Sequence, residues 1–435
     1  MKLLIINVCD PEYKCYRGLF SNYLTYPPLT LAYLAALIPD DIEIEVDFCD
    51  EIVEKIDLTK NYDAVAMSFM CVSAKRAYEL SEIYKNKGSY LIAGGYHPTF
   101  CIDEVLEHFD SVIIGAAEIS FPQILRDLIS KNPKKIYDNQ NVDGIDYKFP
   151  KREIIPKRKY LNVPAVIANR GCVNRCEFCA ISELNCGSHP RPVDNVIQEI
   201  KTLKSKRLVF FDPNFFQDKQ YSLELMSELG KLKKQWFCNA TVKFTQDEQL
   251  LKSASKNGCG GVLMGLESFN PDSLKNANKV FNKPEIYKKS VETLHKYNIF
   301  AHACFVLGFD SDTEDDLIKL PDFIEYLGLD LARFSILTPA PNSALYKKLD
   351  AENRIITHDW RKYDQNYAVF QPKNMTPQRL EEIYHYVWEK TYSIPSVLRR
   401  VSKSKNKLFN KLFLLGTNLG FKYVGVDACK GDRGC

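Results

Sequence analysis

Short apolar runs alternate with amphipathic segments from the first residue. Leu3–Val8, Ile42–Phe48, Ala64–Phe69, Tyr90–Ala93 and Ser111–Ile114 each read as a buried strand. The stretches between them read as helices, for example Pro28–Leu37, which has a proline in its first turn. Such alternation predicts a parallel, doubly wound Rossmann-like sheet with its ligand crevice at the carboxyl ends of the strands. A Lys-, Asn- and Pro-rich stretch, Lys131 to Pro156, then reads as a surface linker. A second series follows: Pro164–Ala168, Leu208–Phe211, Trp236–Ala240, Gly261–Met264, Phe300–Val306 and Ala332–Leu337. Six β/α units are predicted there, a partial barrel whose chemistry belongs at the carboxyl ends of its strands. Beyond residue 376 the pattern is helical, over Pro377–Thr391 and from Pro395 toward Leu415. The last segment carries Arg399, Arg400, Lys403, Lys405, Lys407 and Lys411. It reads as a packing helix with a solvated basic face, and a membrane-surface helix is the alternative. The expected class is α/β, divided into 1–145, 146–375 and 376–435.

Composition narrows the partners. The 435 residues are 45% hydrophobic and 26% charged, ordinary for a globular protein of two or three domains. A net charge of +3 without a dense basic stripe gives no reason to expect a nucleic-acid partner. The apolar run at Met1–Val8 is too short for a signal peptide. No apolar stretch approaches the ~20 residues that span a bilayer. The expected compartment is the cytoplasm, where reducing conditions keep thiols free for metals.

Candidate chemistry centres on Cys172, Cys176 and Cys179, a CxxxCxxC run that follows the first strand of the second series. Three thiolates on one loop hold three irons of a 4Fe-4S cluster and leave one iron open. Structural zinc would want four ligands, usually as paired CxxC elements, and there is no second pair. Two more cysteines, Cys429 and Cys435, close a small glycine-containing loop at the end of the chain. Soft thiolates suit a thiophilic centre such as trivalent arsenic, copper(I) or an iron–sulfur unit, the alternative being a frayed tail with incidental thiols.

The cysteine spacing, with Phe178 just before the third cysteine, resembles the radical S-adenosylmethionine superfamily. There the open iron chelates the amino and carboxylate groups of S-adenosylmethionine, and an electron from the cluster breaks a carbon–sulfur bond. Phe211-Asp212-Pro213-Asn214-Phe215 is similar to the family's DDNF-like element, with Pro213 in place of the second carboxylate. That resemblance implies that Asp212 holds the methionine ammonium. Gly265-Leu266-Glu267-Ser268 resembles the GxES element, implying that Glu267 accepts hydrogen bonds from the ribose hydroxyls. Phe309-Asp310-Ser311-Asp312-Thr313 is similar to the GFDxDT turn.

The first domain resembles the cobalamin-binding members of this class. Pro27-Pro28-Leu29-Thr30-Leu31-Ala32-Tyr33-Leu34-Ala35, Gly94-Gly95-Tyr96-His97-Pro98-Thr99 and Gly115-Ala116-Ala117-Glu118 look like their PPLGLAYLA, GGxHPT and GEGE elements. The loop Cys9–Cys15, however, has no histidine where a DxHxxG cobalamin ligand would stand, and the GEGE element is altered. The domain is therefore expected to keep the cobalamin-type fold but to bind cobalamin weakly or not at all, with His97 structural.

Altogether the resemblance implies an enzyme that reductively cleaves S-adenosylmethionine and passes a carbon group from it to a small molecule. An external donor such as flavodoxin or ferredoxin would supply the electron. With Cys429 and Cys435 added, the architecture resembles the radical enzymes of arsinothricin biosynthesis. The specific expectation is transfer of a 3-amino-3-carboxypropyl group to trivalent arsenic, arsenite being captured by the two tail cysteines. A cobalamin-dependent radical methyltransferase is the alternative. An electron-transfer or scaffold protein is a third class, against which Asp212 and Glu267 argue.

Overall fold

A computed structural model describes residues 1–10, 26–139, 145, 147–156, 160–184, 187–403 and 408–422. The chain forms two compact units. The first comprises Met1–Asn162 with two later segments, Ala340–Tyr346 and His358–Asp364; the second comprises Val163–Pro339, Lys347–Thr357 and the chain from Gln365 onward.

The first unit is built on six parallel strands: β1 (Lys2–Asn7), β2 (Glu45–Asp50), β3 (Ala64–Ser68), β4 (Tyr90–Gly94), β5 (Ser111–Gly115) and β6 (Ile136–Asn139). Their order is β2-β1-β3-β4-β5-β6. Alternate residues of each strand enter opposite cores. Leu4 and Ile6 pack with Val65, Leu91 and the helix Ala74–Asn86, whereas Leu3 and Ile5 pack with Ala64, Ile92 and the helix Ala117–Ile129. Both faces are covered, which is why the strands read as apolar runs rather than as alternating patterns. The strand order reverses between β1 and β3, the place where doubly wound sheets open a ligand crevice at their carboxyl ends. At the end of β4, Gly95 has φ +105°, and a Cβ there would lie 2.8 Å from the Phe69 carbonyl oxygen. Only glycine allows that approach.

The supposed linker Lys131–Pro156 contains β6, which pairs with β5 from Val112↔Ile136 to Gly115↔Asn139. Its four residues, Ile-Tyr-Asp-Asn, are too polar and too few to announce a strand. Pairing with β5 and burial of Tyr137, whose hydroxyl donates to Asp127 at 2.8 Å, decide the matter.

The second unit begins with β7 (Ala165–Val166) and an antiparallel pair, β8 (Asn169–Arg170) with β9 (His189–Pro190). It continues through β10 (Arg207–Phe210), β11 (Gln235–Ala240), β12 (Cys259–Glu267), β13 (Phe300–Leu307) and β14 (Leu331–Ile336). β7 and β10–β14 are parallel and adjacent in chain order, the wall of a partial barrel. One parity of these strands, including Phe210, Trp236, Met264, Phe305 and Phe334, is buried against the helices. The other presents Asn239, Gly265, His302, Cys304 and Arg333 on the inner side, less completely buried.

The C-terminal helices pack on this unit near the amino end of β14. The Tyr392 hydroxyl donates to the Ala332 carbonyl at 2.6 Å. Buried Arg400 donates to the Thr391 carbonyl at 3.0 Å and to Asn418 Oδ1 at 2.9 Å. Arg399 pairs with Glu325 at 2.8 Å. The basic segment is thus a packing element in its described part. Among the described residues no helix is long and apolar enough to cross a membrane.

Candidate functional site

The CxxxCxxC loop is the excursion between β8 and β9, so the ladder Asn169↔Pro190 and Arg170↔His189 closes its base. Its turns are held from several sides. Ser182 Oγ donates to the carbonyls of Cys176 and Cys179 at 2.8 and 2.6 Å. Gln217 accepts from the Val173 amide and donates to the Gly171 carbonyl. Asn278 donates to the Arg175 carbonyl at 2.6 Å. Cys172, Cys176 and Cys179 form no disulfide. Burial pushes the Cys176 thiol up to about 11, against the pull of the nearby Lys279 ammonium. Three free thiols on one braced loop, beside a cation that offsets thiolate charge, fit a 4Fe-4S cluster with one open iron.

Glu267 is the last residue of β12, where the register with β13 shifts between Gly265 and Glu267. Its φ is +63°, rare for a residue with a side chain. The strained turn is clamped: Asn282 Nδ2 donates to the carbonyls of Gly265 and Leu266 at 2.8 and 3.0 Å, and the Tyr287 hydroxyl reaches the Leu266 carbonyl at 3.0 Å. The Glu267 carboxylate is buried in an ion pair with Lys279. Burial would lower the Lys279 ammonium, but Glu267 and the thiols of Cys176 and Cys179 hold it above its usual range. Lys279 escaped the sequence reading because a lysine in a polar turn has no signature; only the fold buries it. Phe178 packs edge-on against Phe309 with centroids 5.8 Å apart, and the Lys279 ammonium lies 5.9 Å from its ring centre. Thus Cys176, Phe178, Glu267 and Lys279 gather in one place.

Asp212 follows the end of β10. It is fully buried, and its Oδ1 accepts the Ala168 amide at 2.8 Å, while Oδ2 has no partner. Burial pushes its carboxyl up to about 7, against the amides of Ala168 and Asn169 and the charge of Arg191. Arg191 itself pairs with buried Glu199 at 2.7 Å and donates to the Ile167 carbonyl. These contacts place Asp212 in a polar brace under the strand that leads into the cysteine loop. The GFDxDT turn is likewise internal. Asp312 accepts the amides of Gly308 and Phe309 and the Ser273 hydroxyl, and Asp310 pairs with Arg354 at 2.6 Å.

In the first unit His97 is fully buried and bonded to Tyr78. The loop after β1 is described only through Asp10, and its remainder lies outside the described residues, as do Cys429 and Cys435. By sequence that remainder holds no histidine.

Residues 166–324 match the radical SAM superfamily, and residues 20–125 match the B12 binding domain. The chain is 30% identical over 353 residues to a bacteriochlorophyllide d C-12(1)-methyltransferase of Chlorobaculum tepidum, covering 78% of this chain and 77% of that one. It is 26% identical over 420 residues to the bacteriochlorophyllide d C-8(2)-methyltransferase of the same organism, with 91% of each chain covered. Among solved structures it is similar in fold to TsrM, a radical S-adenosylmethionine methyltransferase from Kitasatospora setae bound to cobalamin and a 4Fe-4S cluster. The TM-score is 0.69, with 13% identity and 98% of each chain covered. The braced three-thiol loop on a parallel barrel, and a relative this similar over most of both chains, lead to one assignment: the chain belongs to the radical SAM superfamily, as an enzyme with a B12 binding domain ahead of its barrel.

Proposed function

We propose that the protein is a cobalamin-dependent radical S-adenosylmethionine methyltransferase acting on a small molecule. The observation that carries this reading is the match to a methyltransferase along most of both chains, over both the B12-binding and the barrel regions. The expected 3-amino-3-carboxypropyl transfer to arsenic rested on Cys429 and Cys435, and the relatives favour methyl transfer in its place.

Cys172, Cys176 and Cys179 would hold three irons, leaving the fourth for S-adenosylmethionine. When bound, the cluster supplies the electron for cleavage and the cobalamin a carrier for the methyl group. The protein's own residues position the cofactors. Glu267, paired with Lys279, offers carboxylate oxygens to vicinal ribose hydroxyls. Phe178, braced by Phe309, gives that space an apolar wall. Asp212, expected to hold the methionine ammonium, is assigned instead to bracing the strand before the cysteine loop. A flavodoxin or ferredoxin fits the need for an external electron donor.

The test uses anaerobically reconstituted, reduced protein with S-adenosylmethionine, with and without cobalamin and arsenite. Mass spectrometry should find S-adenosylhomocysteine formed only with cobalamin. Formation of 5′-methylthioadenosine, with an arsenic-containing product, would overturn methyl transfer.

A further inference from the structure

The first unit contains a cluster of metal-type ligands that neither the barrel chemistry nor the B12 domain assignment uses. His97, Cys101 and Glu104 follow β4 at spacings of four and three, which bring side chains to one face of a helical segment. The Cys101 amide donates to the His97 carbonyl at 2.9 Å and carries that turn from the helix Tyr96–Phe100 into the helix Ile102–Leu106. One ligand atom from each of the three residues lies within 4.8 Å of the other two. His97 and Cys101 are buried, and Glu104 is half-buried.

The surroundings already orient these groups. His97 Nε2 is 2.9 Å from the Tyr78 hydroxyl, which donates to Glu104 Oε1 at 2.8 Å. Trp360 Nε1 donates to the same carboxylate at 3.0 Å. The remaining imidazole nitrogen, Nδ1, is buried without a hydrogen-bond partner. Nε2 is also the ring nitrogen nearer the carboxylate, 3.7 Å from Glu104 Oε1; with Nε2 held by Tyr78, Nδ1 keeps the lone pair that a metal-ligating imidazole offers. A second thiol, half-buried Cys71, lies close enough for its charge to act on Cys101.

We infer that His97, Cys101 and Glu104 bind a zinc ion, with Cys71 or water as the fourth ligand. The nitrogen, thiolate and carboxylate donors suit zinc, whereas calcium and magnesium take oxygen alone. The ion would tie together the two short helices after β4 and, with Cys71 as fourth ligand, join them to the turn Cys71–Ser73.

The experiment uses the full chain carrying Cys172→Ala, Cys176→Ala, Cys179→Ala, Cys429→Ser and Cys435→Ser, so that the barrel loop and the tail cannot compete for metal. After equilibrium dialysis against Zn²⁺, elemental analysis should find one zinc per chain. With Co²⁺ in its place, a thiolate-to-cobalt absorption band should appear. Adding Cys101→Ser, which is near-isosteric, should abolish both. Tyr78→Phe, which only loosens the orienting contact, should weaken zinc binding about 10–100-fold. No zinc in the starting chain, or an unchanged zinc content and cobalt band in folded Cys101→Ser, would overturn the site.

Discussion

Glu267 concentrates the cost of this site in one residue, since it combines a left-handed backbone with a buried charge. The charge is tolerable because Lys279 pairs with it. Lys279→Met would leave the carboxylate buried and alone, which costs about 3–5 kcal/mol. The Lys279→Met/Glu267→Met double variant should recover most of that loss, because apolar groups of similar volume replace a buried pair at little cost. Urea unfolding of the three proteins checks this; equal midpoints for the single variant and wild type would show that water reaches the carboxylate. Asp212 makes a different prediction. Its folded-state carboxyl is raised from 3.8 to about 7, so the native state holds the proton more tightly than the unfolded chain. Its contribution is fully present below pH 3.8 and is lost as pH rises through about 7. Asp212→Asn should therefore flatten the fall in melting temperature between about pH 4 and 7, and identical slopes would contradict this.

At the level of elements, the end of β12 explains why the GxES run begins with glycine. A Cβ on Gly265 would sit 2.2 Å from Glu267 Oε1 and 2.8 Å from Lys279 Nζ. Gly265→Ala should therefore keep the strand, destabilise by about 1–3 kcal/mol through overpacking, and weaken S-adenosylmethionine binding by displacing the ion pair. Circular dichroism and calorimetric titration separate the two effects; unchanged affinity would mean that the pair does not serve the ligand. The long strands are legible because each buries an apolar run: the pattern predicts Phe300–Val306, and β13 spans Phe300–Leu307. The pattern predicts the helix Pro377–Thr391 with its observed bounds, and the Thr376 cap and Pro377 mark its start. β6 and the β8–β9 pair were not legible, because short polar strands exist only through partners elsewhere in the chain.

For the whole molecule, a B12 binding domain whose β1 loop lacks histidine makes a spectroscopic prediction. Only two histidines precede the barrel: His97 is fully buried, and His108 stacks on Tyr78 with centroids 4.1 Å apart. Cob(II)alamin bound to the full chain should show no nitrogen superhyperfine splitting from a protein imidazole in its electron paramagnetic resonance spectrum; such splitting would require one of these histidines to leave its packing. The sequence by itself determined the α/β class, the barrel series and the three cluster cysteines, because hydrophobic period and ligand spacing are local properties of the chain. Tertiary structure alone decided that Lys279 faces Glu267 and the thiols, that Asp212 braces a loop base, and that His97, Cys101 and Glu104 converge beside Tyr78. Each of those outcomes depends on burial and on partners distant in sequence, which set charge and hydrogen bonding only once the chain has folded.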